Sequence, residues 1–405
     1  MSPSTALEDE QAPPGVLSIL VSAYVILLPF QFQVGNGINF APADCLLVLV
    51  LLLAAGQLKY RTAAWTAWHF GIILTFAAGS LVAAVRFGRL DRYELINKDA
   101  GLILPFLSYA AIMSAVVTWE NVRHILRLFT LSVVIQNIVC VGAFLGTYFF
   151  GIPNPFTPYE GLRLAGMLLD PNAYGGLLVV TFVLIEAASY GPAPLLQKKA
   201  LLASRVTLAL GILFTFSRSA WVALGLATVL FGALRPWAVG RLLVSGLMGT
   251  PCVFLLLGQR FLPIFEVMAS RPKQVQGRFD LIHDGLAAFA RHPFIGGGIG
   301  SFRLSEGEIA HNTAMWFLAD FGIVGLSVLL GFLGWFFVKA WTAYRLAPAR
   351  EQPVVLALLL AQTAMVGLAM GIEAFYQRHW WLVFGLIASS YSLVLRRSYH
   401  PTYKC

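Results

Sequence analysis

The chain has 405 residues, is 58% hydrophobic and only 12% charged, and carries a mean hydropathy of +0.76 and a formal net charge of +9. Average soluble domains are about one-quarter charged, so the composition excludes a soluble globular protein, and nothing in the basic balance resembles a groove for nucleic acid. Of the four cysteines, Cys45, Cys140 and Cys252 fall in apolar runs and Cys405 is the last residue, a pattern that excludes a disulfide framework, a metal-ligand set and a prenylation box.

A helix crosses a bilayer with about 20 apolar residues. In chain order such runs fall at 15–34, 40–57, 64–86, 98–118, 124–150, 173–190, 200–216, 219–235, 238–258, 312–338, 353–372 and 379–396. They predict an all-α fold, one polytopic integral membrane bundle of about 12 transmembrane helices forming a single domain over 1–405. The acidic, Pro-rich start (Glu8, Asp9, Glu10, Pro13, Pro14) is the opposite of a secretory n-region, so the first run is expected to be an uncleaved anchor. The run across 200–235 is interrupted only by Ser217-Arg218-Ser219, which reads as a tight hairpin between two helices. The long polar segment 259–311 lies between the ninth and tenth runs and is expected to carry short interfacial helices.

An even number of spans puts both termini on one side. Lys59/Arg61, Lys198/Lys199, Arg235/Arg241, Lys339/Arg345/Arg350 and Arg396-Arg397…Lys404 favour the cytoplasm for that side, although the excess over the other side is small by raw count. The same parity places Arg86, Arg89, Arg92, Arg163, Arg218, Arg278, Arg291, His311 and Arg378 together on the opposite, periplasmic face. That set is rich in arginine, the residue suited to bidentate contact with phosphate. Snorkelling and headgroup contact account for arginines such as Arg86, Arg89, Arg92, Arg260 and Arg303. They account less well for Arg218, whose charge in a short hairpin at the membrane edge must find a partner or water.

Three local patterns carry the chemistry. Arg163-Leu-Ala-Gly166…Asp170-Pro171-Asn172 reads as a helix start, with Asp170 as cap and Pro171 in the first turn, and leaves Arg163 unexplained. Thr215-Phe-Ser217-Arg218-Ser219 reads the same way, with Ser217 as cap. In Gly277–Arg291, Phe279, Ile282, Leu286 and Phe289 form one apolar helical face against Arg278, Asp280, Asp284 and Arg291, which suggests a helix on the membrane surface. The Gly296–Gly300 cluster, Gly298 at its centre, lacks the following Lys-Ser/Thr of a phosphate loop; its glycines permit a sharp turn or a close approach to the backbone. His311-Asn312 then opens a span. The absence of His-Glu-x-x-His and of acidic pairs at ligand spacing argues against a metal centre.

The order Arg-x-x-Gly…Pro-Asn, Ser-Arg before a helix, Gly-Arg…His-Pro-x-x-Gly-x-Gly…His-Asn, and then an apolar span with Gly322 and Gly325 resembles the O-antigen ligase and polymerase family. The resemblance runs over about 40–395 and is most specific at 277–325; Asp44 and Arg378-His-Trp-Trp381 also look family-like. It implies a multi-pass glycosyltransferase of the bacterial inner membrane that takes a glycan from undecaprenyl diphosphate on the periplasmic face, without cofactor, metal or nucleotide sugar. The acceptor would be lipid A–core in a ligase, or a second lipid-linked glycan in a polymerase; the modest outer loop leans to ligase. Carried onto this chain, 259–311 becomes the catalytic loop, His311 the general base, and Arg218 and Arg278 the diphosphate holders. Arg163, Asn172, Arg291, Gly298, Asn312 and Arg378 become further substrate contacts. Two other classes remain: a lipid-linked-oligosaccharide flippase, expected to carry mid-span polar groups beyond Arg205 and Glu186, and a non-catalytic assembly factor.

Overall fold

The structure is a computed structural model and describes residues 15–34, 38–56, 65–88, 94–157, 163–240 and 272–399. Its helices are α1 (Val16–Leu27), α2 (Pro42–Gly56), α3 (Ala67–Phe87), α4 (Gly101–Ala115), α5 (Trp119–Phe150), α6 (Pro171–Ala188), α7 (Lys198–Thr215), α8 (Arg218–Leu234), α9 (Pro272–Arg291), α10 (Ser301–Glu306), α11 (Thr313–Leu346), α12 (Gln352–Ala369) and α13 (Arg378–Tyr399). A short antiparallel pair, β1 (Phe32–Val34) and β2 (Ile38–Phe40), sits between α1 and α2 with Phe32 opposite Phe40. Nine of the expected apolar runs are helices to within a few residues; the run at 15–34 is helical only as far as Leu27, and that at 312–338 continues as helix to Leu346. The remaining run, 238–258, lies outside the described residues apart from its first positions, as do Arg89, Arg92 and Arg260.

Among the described residues, five helices (α3, α5, α6, α11 and α12) are long and apolar enough to cross a membrane; α1, α8 and the Pro42–Leu53 part of α2 are apolar but shorter. Burial sorts them into layers. Along α6 nearly every side chain is buried, and α12 packs against both α6 and α8 to make the centre of the bundle. On the outside, α3 turns Phe70, Leu74, Leu81 and Val85 outward, the surface expected where lipid replaces water. Between helices that lipid would solvate equally well apart, small residues and polar bonds supply the adhesion. The Gly367 backbone approaches the Ala223 backbone so closely that a Cβ would lie 2.8 Å from its Cα. Asn137 donates to Thr207 O at 2.6 Å and accepts from the Tyr174 hydroxyl at 3.0 Å, joining α5, α6 and α7.

At the end of the bundle away from Arg218, arginines latch the loops. Arg123 Nε donates to Glu351 Oε2 at 2.7 Å and its Nη2 to Arg350 O at 3.0 Å. Nearby, Arg127 Nε donates to Leu195 O at 3.0 Å, and Arg235 Nη2 to Gln352 Oε1 at 2.7 Å. Lys198 and Lys199 are exposed beside them. Removing one member of a buried pair leaves a lone desolvated charge. Glu351→Ala is therefore expected to destabilise the protein by about 3–5 kcal/mol, read as a fall in the unfolding midpoint in detergent. Arg350→Ala, whose side chain is 73% exposed, should cost less than about 1 kcal/mol.

Candidate functional site

Three helices begin at one place, and each begins in the same way. Leu169, Phe216 and His311 are the non-glycine residues of positive φ among those described, at 65°, 46° and 49°. Each is followed by a capping residue. Asp170 Oδ1 accepts from the N–H groups of Asn172 and Ala173 at 2.8 Å each. Ser217 Oγ accepts from Ala220 N at 3.3 Å, and Asn312 Oδ1 from Met315 N at 3.0 Å. A left-handed backbone at a residue with a Cβ costs about 1–3 kcal/mol and persists where the surroundings over-determine it. Here it turns the chain sharply enough for α6, α8 and α11 to present their N-termini, the positive ends of their dipoles, at one mouth.

Side chains tie the three starts together. Asn172 Oδ1 accepts from Ser217 Oγ at 2.9 Å and from Arg163 Nη2 at 3.1 Å, while Arg163 Nε donates to Thr215 O at 3.0 Å. Arg163 thus braces the entry to α6 against the α7–α8 hairpin. The third start is joined through the turn after α12: Asn312 Nδ2 donates to Met370 O at 3.0 Å and Thr313 Oγ1 to Ile372 O at 2.9 Å. Gly371, between those two, packs so closely that a Cβ there would lie 2.3 Å from Ser219 Oγ and 3.4 Å from Arg278 Nη1. His311, Asn312, Arg278 and the Arg218 hairpin therefore meet around the Met370–Ile372 turn.

Electrostatics mark this mouth. Burial first, and then the charge of Arg218, lower the Arg278 pKa, with Asp170 opposing. Among the described residues no carboxylate lies within salt-bridge distance of Arg218 or Arg278. Arg218 is exposed and His311 half-buried. Two cations held close with little compensation, at converging helix N-termini, favour an anion. The other expected contacts fall elsewhere. Arg378 is engaged by Asp44, its Nε donating to Oδ1 at 2.9 Å and its Nη2 to Oδ2 at 2.6 Å. Arg291 is 56% exposed and its Nη2 lies 3.8 Å from Glu306 Oε1. The close approach at Gly298 is made by the chain itself, since a Cβ there would lie 2.6 Å from Ala83 N. Among the described residues no three His, Cys, Asp or Glu side chains gather as a possible metal site.

The glycine cluster has a structural cause absent from the sequence reading. Helix α11 opens at Gly322 (φ 66°, ψ −164°). The polar groups freed there are taken by 293–298: Gly297 N donates to Ala319 O and Gly298 N to Asp320 O, both at 3.0 Å, while Ile323 N donates to Pro293 O at 2.9 Å and Val324 N to Phe294 O at 3.2 Å. Asp320, 1% exposed, accepts from Gly300 N, Ser301 Oγ, Phe302 N and Trp316 Nε1 at 2.8–3.0 Å. With it are buried Glu94 and Lys98, and Glu373 beside them; none was singled out from sequence. The available signal was Asp320 itself, a carboxylate two turns inside an apolar run.

Helix α9 forms as the spacing predicts. Gly285 and Ala288 are buried, with Met315 and Phe302 near Gly285, whereas Phe279, Leu286, Phe294 and Ile295 are exposed apolar surface. A Cβ at Gly322 would lie 2.4 Å from Phe294 O, in a conformation that side chains avoid. Gly322→Ala is therefore expected to undock 293–302, seen as faster hydrogen exchange and new proteolytic cleavage there, while Gly334→Ala, with open space around it, leaves both unchanged.

No curated protein matches the chain at a significant level. Residues 203–330 match the family model described as O-antigen ligase, a segment that contains Arg218, Arg278, Arg291, Gly298, His311 and Asn312 but not Arg163, Asn172 or Arg378. The apolar helices mark a membrane protein, and the match supports an O-antigen ligase family assignment on the strength of the segment 203–330.

Proposed function

We propose that the chain is an O-antigen ligase-like glycosyltransferase, moving a glycan from undecaprenyl diphosphate to a hydroxyl of lipid A–core on the periplasmic face of the bacterial inner membrane. The supporting observation is the pair Arg218 and Arg278, held together without a salt-bridged carboxylate among the described residues, beside the Met370–Ile372 turn to which Asn312, next to His311, is bonded. In this reading the whole chain is one transmembrane domain of about twelve spans, with 259–311 as its catalytic loop.

The acceptor oxygen attacks the anomeric carbon as the bond from that carbon to the phosphate oxygen breaks. The electron pair leaves with the lipid diphosphate, whose added charge Arg218 and Arg278 stabilise, and the acceptor proton passes to the His311 imidazole. Preorganised charge of this kind is worth about 10²–10³-fold per group removed, and a general base about 10²–10⁴-fold. Arg163 and Asn172 hold the entry to α6 against the Arg218 hairpin, and Asn312 fixes the start of α11 next to the base. A one-step displacement inverts the anomeric centre; retention in the product linkage would exclude it.

The test uses purified protein in liposomes with an undecaprenyl-diphosphate glycan and lipid A–core, without added metal. Wild type should place glycan on the core lipid with inverted configuration, and His311→Ala should lower the rate by about 10²–10⁴-fold. Elongation of the lipid-linked glycan instead would make the protein a repeat-unit polymerase using the same groups. Donor crossing the bilayer with no new linkage would make it a flippase, and full activity in His311→Ala would remove the base assignment.

A further inference from the structure

A π-helical turn, Leu95–Ala100, leads into α4 and carries Lys98 into the interior, where it is 6% exposed. Such turns are rare and recur at functional sites. The Lys98 ammonium pairs with the Glu373 carboxylate and lies 4.0 Å from the Trp316 ring centre and 5.2 Å from that of Tyr376. The other Glu373 oxygen, Oε1, accepts from the Ala310 N–H at 3.1 Å. Ala310 immediately precedes His311, whose φ of 49° places it in the left-handed region.

A backbone held in that region requires fixed neighbours on both sides. After His311 the hold is neutral: Asn312 Nδ2 on Met370 O at 3.0 Å, then Thr313 Oγ1 donating to Ile372 O and accepting from Ala374 N, each at 2.9 Å. Before His311 it is the Glu373 carboxylate. A charged acceptor binds an N–H more tightly than a neutral one, but a buried carboxylate needs a counter-charge, which Lys98 supplies.

We propose that Glu373, neutralised by Lys98, is a positioning residue that fixes the backbone at 310–311 and so aims the His311 imidazole. This rests on the assignment of His311 as the base. Glu373 touches neither substrate nor reacting atoms in this role; it acts through the Ala310 peptide, and no proton changes hands.

The test compares wild type, Glu373→Gln, Glu373→Ala, Lys98→Met/Glu373→Ala and His311→Ala in the liposome transfer assay, with hydrogen–deuterium exchange of peptides covering 309–313. Glu373→Ala should lower kcat by about 10–10²-fold, the scale of small misplacements of catalytic groups, leave the donor KM within about twofold, and speed exchange at Ala310. Glu373→Gln keeps an oxygen for the Ala310 N–H and should recover most of kcat and the protection. Lys98→Met/Glu373→Ala removes the acceptor together with the ammonium that pairs with it. It carries the test if Glu373→Ala does not fold, with the same loss expected. A folded double variant with wild-type kcat and unchanged exchange, alongside an inactive His311→Ala, overturns the positioning role alone. Full activity in His311→Ala instead overturns the base, and with it this role for Glu373.

Discussion

Helix α11 opens at Gly322, and the N–H and C=O groups released there would be costly to leave unpaired inside a membrane protein. Segment 293–298 supplies their partners, and the carboxylate of Asp320, just before the break, gathers the next N–H groups of the loop at 300 and 302. This exchange of hydrogen bonds docks the polar loop against the bundle and fixes where α9 ends and where α11 begins. It adds to the bonds of Asn312 and Thr313 with the Met370–Ile372 turn, which hold the start of α11 near Arg278.

Around that dock the chain concentrates both strain and charge. The three described left-handed non-glycine residues each stand immediately before a capped helix start, and all three starts adjoin one another. Arg218 and Arg278 repel each other there, while other cations are engaged: Arg378 by Asp44 and Lys98 by Glu373. The contrast separates the cations available to an anion from those that hold the scaffold. In water the difference would be small; at a partly buried mouth, fixed charges act through a lower effective dielectric.

Much of this was legible from residue order. Apolar length gave the helices, because a run long enough for a bilayer is hard to place otherwise. Capping chemistry gave the starts at Asp170 and Ser217, because those side chains serve a local need, whereas the cap at Asn312 is seen in the structure. Arg218 stood out as a charge without a local purpose, and the spacing of apolar residues located α9. The buried cluster was hidden because Glu373 and Asp320 are more than 200 residues from Glu94 and Lys98, and the charged residues at 94, 98 and 373 sit where a span end would ordinarily expose them. The occupation of Arg378 by Asp44 was likewise a long-range fact, although both residues had been noted. Gly298 drew attention as a possible opening to substrate, whereas Ala83 already fills the space; glycine spacing records close approach but not the approaching partner.

The central claim is that Arg218 and Arg278 form one diphosphate site, and a double-mutant cycle on undecaprenyl diphosphate binding tests it most directly. Wild type, Arg218→Ala, Arg278→Ala and the double variant would be titrated in the same detergent at fixed salt. Two cations sharing one ligand should couple, so that the double variant departs from the sum of the single losses by about 0.5–3 kcal/mol. Losses that simply add, or single variants that bind as tightly as wild type, would contradict a shared site.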